Sequence, residues 1–242
     1  MKISVAQTRP IKGNISANID LHKKLIELAV SNKADALFFS ELSVTGYEPE
    51  LVKDLATNQD DTQFEDFQKI SDANKITIAI GVPTKSDLGI QISLIIFQPN
   101  KERQTYSKQK LHSDEFPYFV KGEKQIILTV GNKKIAPAIC YESMHMDHAD
   151  DAVKLGAEIY LASVVKTQEG VDNAFAHYPL VAQQFKIPVL MSNCVGFSDI
   201  YECVGKSAVW SKQGNLVGQL DDKSEGILIF DTETEEVIIQ TL

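Results

Sequence analysis

Long apolar runs are missing from this sequence, and no window approaches the roughly 20 consecutive apolar residues that a membrane-spanning helix requires. The opening MKISVAQT enters a strand pattern at once, without the hydrophobic core of a secretory leader, so a cytoplasmic protein is expected. Cysteine is scarce: Cys140, Cys194 and Cys203 are odd in number and lack CxxC spacing, which argues against a disulfide framework or a zinc knuckle. Basic runs never exceed a pair and the formal net charge is −9, so nucleic acid and anionic membranes are poor partners. Neither GxGxxG nor GxxxxGK[ST] follows any strand pattern, which weighs against a doubly wound nucleotide-binding domain, and no cofactor is expected. Linkers rich in Pro, Gly or Ser and internal repeats are also absent, so residues 1–242 are read as a single domain.

What the chain does have is short apolar segments rich in β-branched residues. Ile3 to Ala6, Ala36 to Phe39, Ile76 to Val82, Ile92 to Phe97, Ile126 to Val130, Ile135 to Ile139, Ile159 to Val164 and Val189 to Ser192 read as strands, several buried on both faces. Between the first two, Ile15, Ile19, Ile26 and Val30 recur at helical spacing and predict a crossover helix. Two short helices are expected between about residues 50 and 74, and others over about 147–155 and 171–185, the last stopped before Pro188. Residues 76 to 107 read as successive hairpins, and so do Ser207 to Trp210 and Leu216 to Val217 around Gly214. The acidic stretch around residues 60 to 66 reads as solvated helix ends. The pattern is a mixed α/β system with helices outside.

Ligands of open α/β sheets sit beyond the carboxyl ends of strands, so polar groups there carry the functional reading. ALFFSELSVTGY places Glu41 just past a strand, TYSKQKLH places Lys110 after a hairpin strand, and IAPAICYES places Cys140 after another. Singly, each has a bland explanation: a capping or surface carboxylate, a solvated lysine, a core thiol. Together they supply a nucleophile, a base and a cation for a developing oxyanion.

At these residues the sequence resembles the nitrilase superfamily of carbon–nitrogen hydrolases, with Glu41 in FSELSVTGYEP, Lys110 in YSKQK and Cys140 in ICYES. The resemblance continues through DEFPYFVKGE, where it implies Glu115 as a second glutamate, and then through GAEIYLASVV, VLMSNCVG and GKSAVWSKQGNLVG. It implies a four-layer αββα sandwich of two mixed sheets covered by helices, and a homo-oligomer, dimer or higher, whose protomers pair through helices.

It also implies amidase-like chemistry. Glu41 would deprotonate Cys140 for attack on a small carboxamide, Lys110 and the backbone N–H of Tyr141 would hold the oxyanion, and Glu115 would orient Lys110 or the substrate. An N-carbamoyl amine or a nitrile would use the same groups, and a noncatalytic small-molecule binder on the same fold is the alternative outside enzymes. Tyr47 and Tyr141 are expected at the substrate. His177, in DNAFAHYP, resembles a histidine near the pocket in some amidases of this family. His145 and His148 lie one helical turn apart, but no third ligand follows from spacing, so no metal is expected. Lys166 follows IYLASVV and, by the strand-end argument, is expected at the pocket mouth, where its ammonium would favour an amide carrying a carboxylate.

Overall fold

In the computed structural model, which describes residues 1–242, the first apolar segments pair into one sheet. Its strands β1 (Lys2–Gln7), β2 (Ala36–Phe38) and β3 (Thr77–Ser86) run parallel, which requires crossovers. These are α1 (Ile15–Ser31), then α2 (Val52–Leu55) and α3 (Glu65–Asn74). Strands β4 (Gly89–Phe97) and β5 (Gln104–Ser107) follow as antiparallel hairpins.

The second sheet opens with β6 (Leu128–Val130) and β7 (Lys133–Ile139), then crosses through α4 (Met146–Lys154) to β8 (Ile159–Ser163) and through α5 (Gln168–Phe185) to β9 (Val189–Ser192). A separate two-stranded ribbon, β10 (Val195–Ser198) and β11 (Tyr201–Val204), interrupts before β12 (Ala208–Trp210) and β13 (Leu216–Gln219) complete that sheet. The chain then returns to the first sheet as β14 (Gly226–Asp231), beside β1, and β15 (Val237–Thr241).

Side-chain alternation converts this topology into layers. On β1, Ile3 and Val5 enter a core shared with Ile135, Leu161, Leu190 and Val209 of the other sheet. Ala6, Leu37, Phe39, Ile78 and Ile80 point the opposite way and pack under α1 and α3, against Leu25, Ile26 and Phe67. The outer face of the second sheet, including Ala138, Tyr160 and Met191, is covered by α4 and α5 through Ala149, Tyr178 and Val181. Each large side chain sealed in these layers contributes about 1.5–3 kcal/mol, which offsets the cost of ordering the strands. The αββα sandwich implied by the sequence is the architecture observed.

Differences from the sequence reading lie at the margins. The ribbon β10–β11 and strands β14 and β15 were not expected. The helix α5 starts three residues before the expected 171, because Thr167 caps a polar first turn by accepting the Gly170 N–H. Its C-terminus is closed by Lys186 in the left-handed conformation, ahead of Pro188.

Candidate active site

Glu41 sits in a tight turn after β2, and the surrounding backbone leaves it little freedom. Leu42 has a φ of +49°, and Gly81 of β3 passes so close that a Cβ there would lie within 3.0 Å of Ser40 O, Leu42 N and Ser43 N. Ser43 Oγ accepts the Gly81 N–H at 3.1 Å and meets His22 Nε2 at 2.9 Å. His22 is fully buried and stacked on Phe39, and burial depresses its pKa to about 4, so a neutral ring pins this turn.

The lysine that faces Glu41 is Lys108, which corrects the expectation for Lys110. Lys108 is buried, and its Nζ donates to Glu41 Oε1 at 2.8 Å and to Glu115 Oε1 at 2.6 Å. Lys110 instead stands at the surface, paired with Asp147. The reason is strand geometry: Lys108 N still donates to Ile92 O at 2.9 Å, continuing the β4–β5 ladder, so its side chain enters on the same side as Tyr106. Beyond Lys108 the chain turns away and Lys110 leaves the interior. Glu115 lies where the sequence put it, with Oε2 accepting the His112 N–H at 2.8 Å and Oε1 accepting Tyr47 Oη at 3.3 Å.

Cys140 begins a single 3₁₀ turn directly after β7 and takes a φ of +46°, a conformation that costs a non-glycine residue energy. Glu142 holds it there. Its Oε1 accepts the N–H of Ile139 at 2.7 Å and Tyr106 Oη at 2.6 Å. Its Oε2 accepts the N–H groups of Gln109 at 2.6 Å and Lys110 at 3.3 Å. One carboxylate thus fastens the cysteine turn to the segment that follows Lys108. Cys140 Sγ itself is directed at Val165 O, 3.6 Å away.

Glu41, Lys108, Glu115 and Cys140 converge on a cavity of about 230 Å³, below the ~300–1,000 Å³ typical of drug-sized ligand sites. Burial raises the Glu41 pKa, opposed by Lys108 and by the Cys140 thiol and reinforced by Glu115. Burial likewise pushes the Cys140 thiol up to about 12, helped by Glu41 and opposed by Lys166 and Lys108. Burial works against the Lys108 charge, but Glu41, Cys140 and Glu115 outweigh it and the net shift is upward. A protonated thiol therefore rests beside a carboxylate of enhanced basicity and a firmly charged ammonium.

The other expected residues divide. Tyr47, Tyr141 and Lys166 line the cavity. His177 does not; it lies behind the cysteine turn, its ring against the Ser143 backbone and Tyr178. Both ring nitrogens of His148 are engaged by tyrosine hydroxyls, Nε2 with Tyr106 at 3.1 Å and Nδ1 with Tyr160 at 2.7 Å. Sequence reasoning missed Lys108, Glu142 and Tyr201. Tyr201 comes from β11 and closes one wall, its hydroxyl bonded to Asp114 at 3.0 Å. The nearness of Glu142 to Cys140 was visible; its four donors, three of them from residues 106–110, were not.

A profile of the carbon-nitrogen hydrolase family matches residues 2–238, and the chain belongs to that family. It is similar over 98% of its length, at 22% identity, to the glutamine-dependent NAD(+) synthetase of Thermotoga maritima, and over 94%, at 24% identity, to that of Aquifex aeolicus. It covers 42% and 41% of those proteins, so the chain spans less than half the length of these curated relatives. Among solved structures, the amidase of Nesterenkonia sp. AN1, bearing an acrylamide adduct on its active-site cysteine, superposes with a TM-score of 0.87 at 21% identity, covering 96% of this chain and 92% of that one. Another structure of that amidase, described as a member of the nitrilase superfamily, gives a TM-score of 0.85 at 20% identity over 95% and 90% of the two chains. The fold is that of the nitrilase-superfamily amidases.

Proposed function

We propose that the protein hydrolyses a small carboxamide to a carboxylate and ammonia, with Cys140 as nucleophile, Glu41 as proton carrier and Lys108 as the oxyanion's cation. The observation that carries this reading is the Lys108 ammonium, bridging two buried carboxylates at 2.8 and 2.6 Å on the wall of a cavity that also holds Cys140. Two carboxylates around one lysine leave a basic oxygen to spare. Glu41 Oε2 is that oxygen, buried and without a hydrogen-bond partner.

The steps follow from these positions. Glu41 removes the thiol proton as Sγ bonds to the amide carbon, and the carbonyl electron pair moves to oxygen, where Lys108 stabilises it. Collapse breaks the C–N bond, and Glu41 returns the proton to the departing nitrogen as ammonia leaves. Glu41 then takes a proton from water as it attacks the thioester, and releases it to Sγ when the carboxylic acid departs. Glu115 keeps Lys108 aligned. The cavity volume favours a small substrate, and likeness to an amidase and to glutamine-dependent synthetases supports an amide.

The test is ammonia release from a panel of short aliphatic amides, with carbamoyl amines and nitriles alongside, for the native protein and Cys140→Ala. Amide turnover lost in the variant, with an acyl-cysteine mass trapped on Cys140 in the native protein, is the expected result. Ammonia release that survives in folded Cys140→Ala would sink the reading.

A further inference from the structure

Lys166 is a charged side chain without a protein partner. It is only 8% exposed, yet it belongs to no ion pair, meaning that no carboxylate oxygen lies within 4.0 Å of its Nζ. Only its main chain is engaged: Lys166 N donates to Asn193 Oδ1 at 2.9 Å, and Lys166 O accepts from Asn193 Nδ2 at 3.1 Å and from the Val204 N–H at 3.4 Å. The other charges lining the same cavity are accounted for. Glu41 and Glu115 share Lys108, and Asp114 is bonded to His112 and to Tyr201. The stem of Lys166 is packed away while its amino group faces a cavity in which no protein acceptor meets it, which leaves it open to an anionic ligand.

Its aim is set by the fold. Gly170, in the first turn of α5, packs on the stem so tightly that a Cβ there would lie 3.2 Å from Lys166 Cβ and 3.3 Å from Cγ. Thr167 and Gly170 line the cavity beside Lys166, so the N-terminus of the 18-residue α5 opens onto the same space. The Gly170 N–H is taken by the Thr167 side chain, but the partial positive charge of the helix N-terminus still favours an anion in that space. Lys166 and Cys140 line the same cavity, and the Lys166 charge opposes the rise in the Cys140 thiol. Glu41 is paired with Lys108 and not with Lys166, so Lys166 is no counter-ion for that carboxylate.

We propose that Lys166 and the N-terminus of α5 form a carboxylate subsite opposite Cys140, and that the substrate is a short amide with an anionic carboxylate at its far end. This deepens the amide-hydrolase reading and rests on it for the identity of the reacting group. The carboxylate binds Lys166 Nζ and the amide end reaches Sγ. The cavity of about 230 Å³ limits the linker between the two ends to a few carbons.

The experiment compares succinamate with 4-methylpentanamide, which replaces the carboxylate by an isopropyl group of the same shape. Native protein is expected to prefer succinamate in kcat/KM by ~10- to 100-fold, the range for one buried charge-assisted contact. In Lys166→Met both rates fall through the more weakly acidic thiol, but the preference itself collapses toward one, chiefly through KM for succinamate; Lys166→Arg restores it. An equal loss on both substrates, or no preference in the native protein, overturns the subsite while leaving amide hydrolysis standing. Calorimetry on Cys140→Ala separates the two claims. Succinamate binding that requires Lys166, with no ammonia from any amide in the native protein, supports the subsite and sinks the hydrolase reading. Binding that is unchanged by Lys166→Met overturns the subsite alone.

Discussion

Glu142 Oε2 accepts the backbone N–H of Gln109 at 2.6 Å, and through that bond the turn bearing Cys140 is tied to the segment bearing Lys108. The Cys140 thiol and the Lys108 ammonium sit on different sheets, and Glu142 ties them together. Glu142→Gln keeps the shape but turns an NH₂ toward backbone donors. We expect kcat to fall at least tenfold with KM changed by less than about threefold, from loss of about 1.5–3 kcal/mol of buried charge-assisted bonding. Steady-state kinetics check this, and Glu142→Asp should recover part of kcat. A KM-dominated effect would mean that Glu142 shapes the binding wall instead.

The two lysines of YSKQK separate by position alone. Lys108→Met is expected to lower single-turnover acylation by roughly a hundredfold or more, the usual cost of removing an oxyanion donor. Lys110→Met removes a surface pair with Asp147 and should change the rate by less than about twofold. Reversal of this order in a stopped-flow comparison would return the role to Lys110.

Gly81→Ala tests the turn that carries Glu41. A Cβ there collides with backbone atoms of Ser40 and Leu42, which cannot swing aside as a side chain would. We expect a loss of about 3 kcal/mol by urea unfolding, together with impaired turnover in the fraction that folds. A variant of native stability would show that the Glu41 turn tolerates displacement.

The buried His22 gives a pH signature in stability. Its folded pKa of about 4 lies below the ordinary 6.5, so between those values the unfolded chain holds a proton that the native ring does not. Its contribution is therefore fully present above pH 6.5 and is lost as pH falls through 4. His22→Asn should reduce the slope of stability against pH by about 1.4 kcal/mol per unit at mid-range. Identical slopes in the two proteins, measured by urea titration across pH 4–7, would show that the ring is protonated in the native state.

The strands and crossover helices were legible because period-two alternation and a helical stripe are local properties of the chain, whereas their stacking into a four-layer sandwich came from the family resemblance. Glu41 and Cys140 were legible for the same reason, since each directly follows an apolar strand. The lysine was misplaced because Lys108 and Lys110 share the same parity, and only the length of the ladder decides between them. That length is fixed by Ile92 on another strand. The residue spacing to Glu115 was the available clue: seven positions from Lys108 against five from Lys110. Tyr201 was hidden for a different reason, because GFSDIYECV alternates poorly and its place over the cavity depends on contacts remote in sequence.

Those contacts give the β10–β11 ribbon an unusual independence. It is fastened by Tyr47 N to Ser198 Oγ at 3.1 Å, Asp199 N to Glu48 Oε1 at 3.1 Å, Tyr201 Oη to Asp114, Val195 N to Thr8 O at 2.9 Å and Val204 N to Lys166 O at 3.4 Å, and it pairs with neither large sheet. The wall it lends to the cavity can therefore be exchanged as a cassette: a replacement ribbon that keeps these anchors would reshape the space beside Cys140 while the sandwich and the cysteine turn stay as they are.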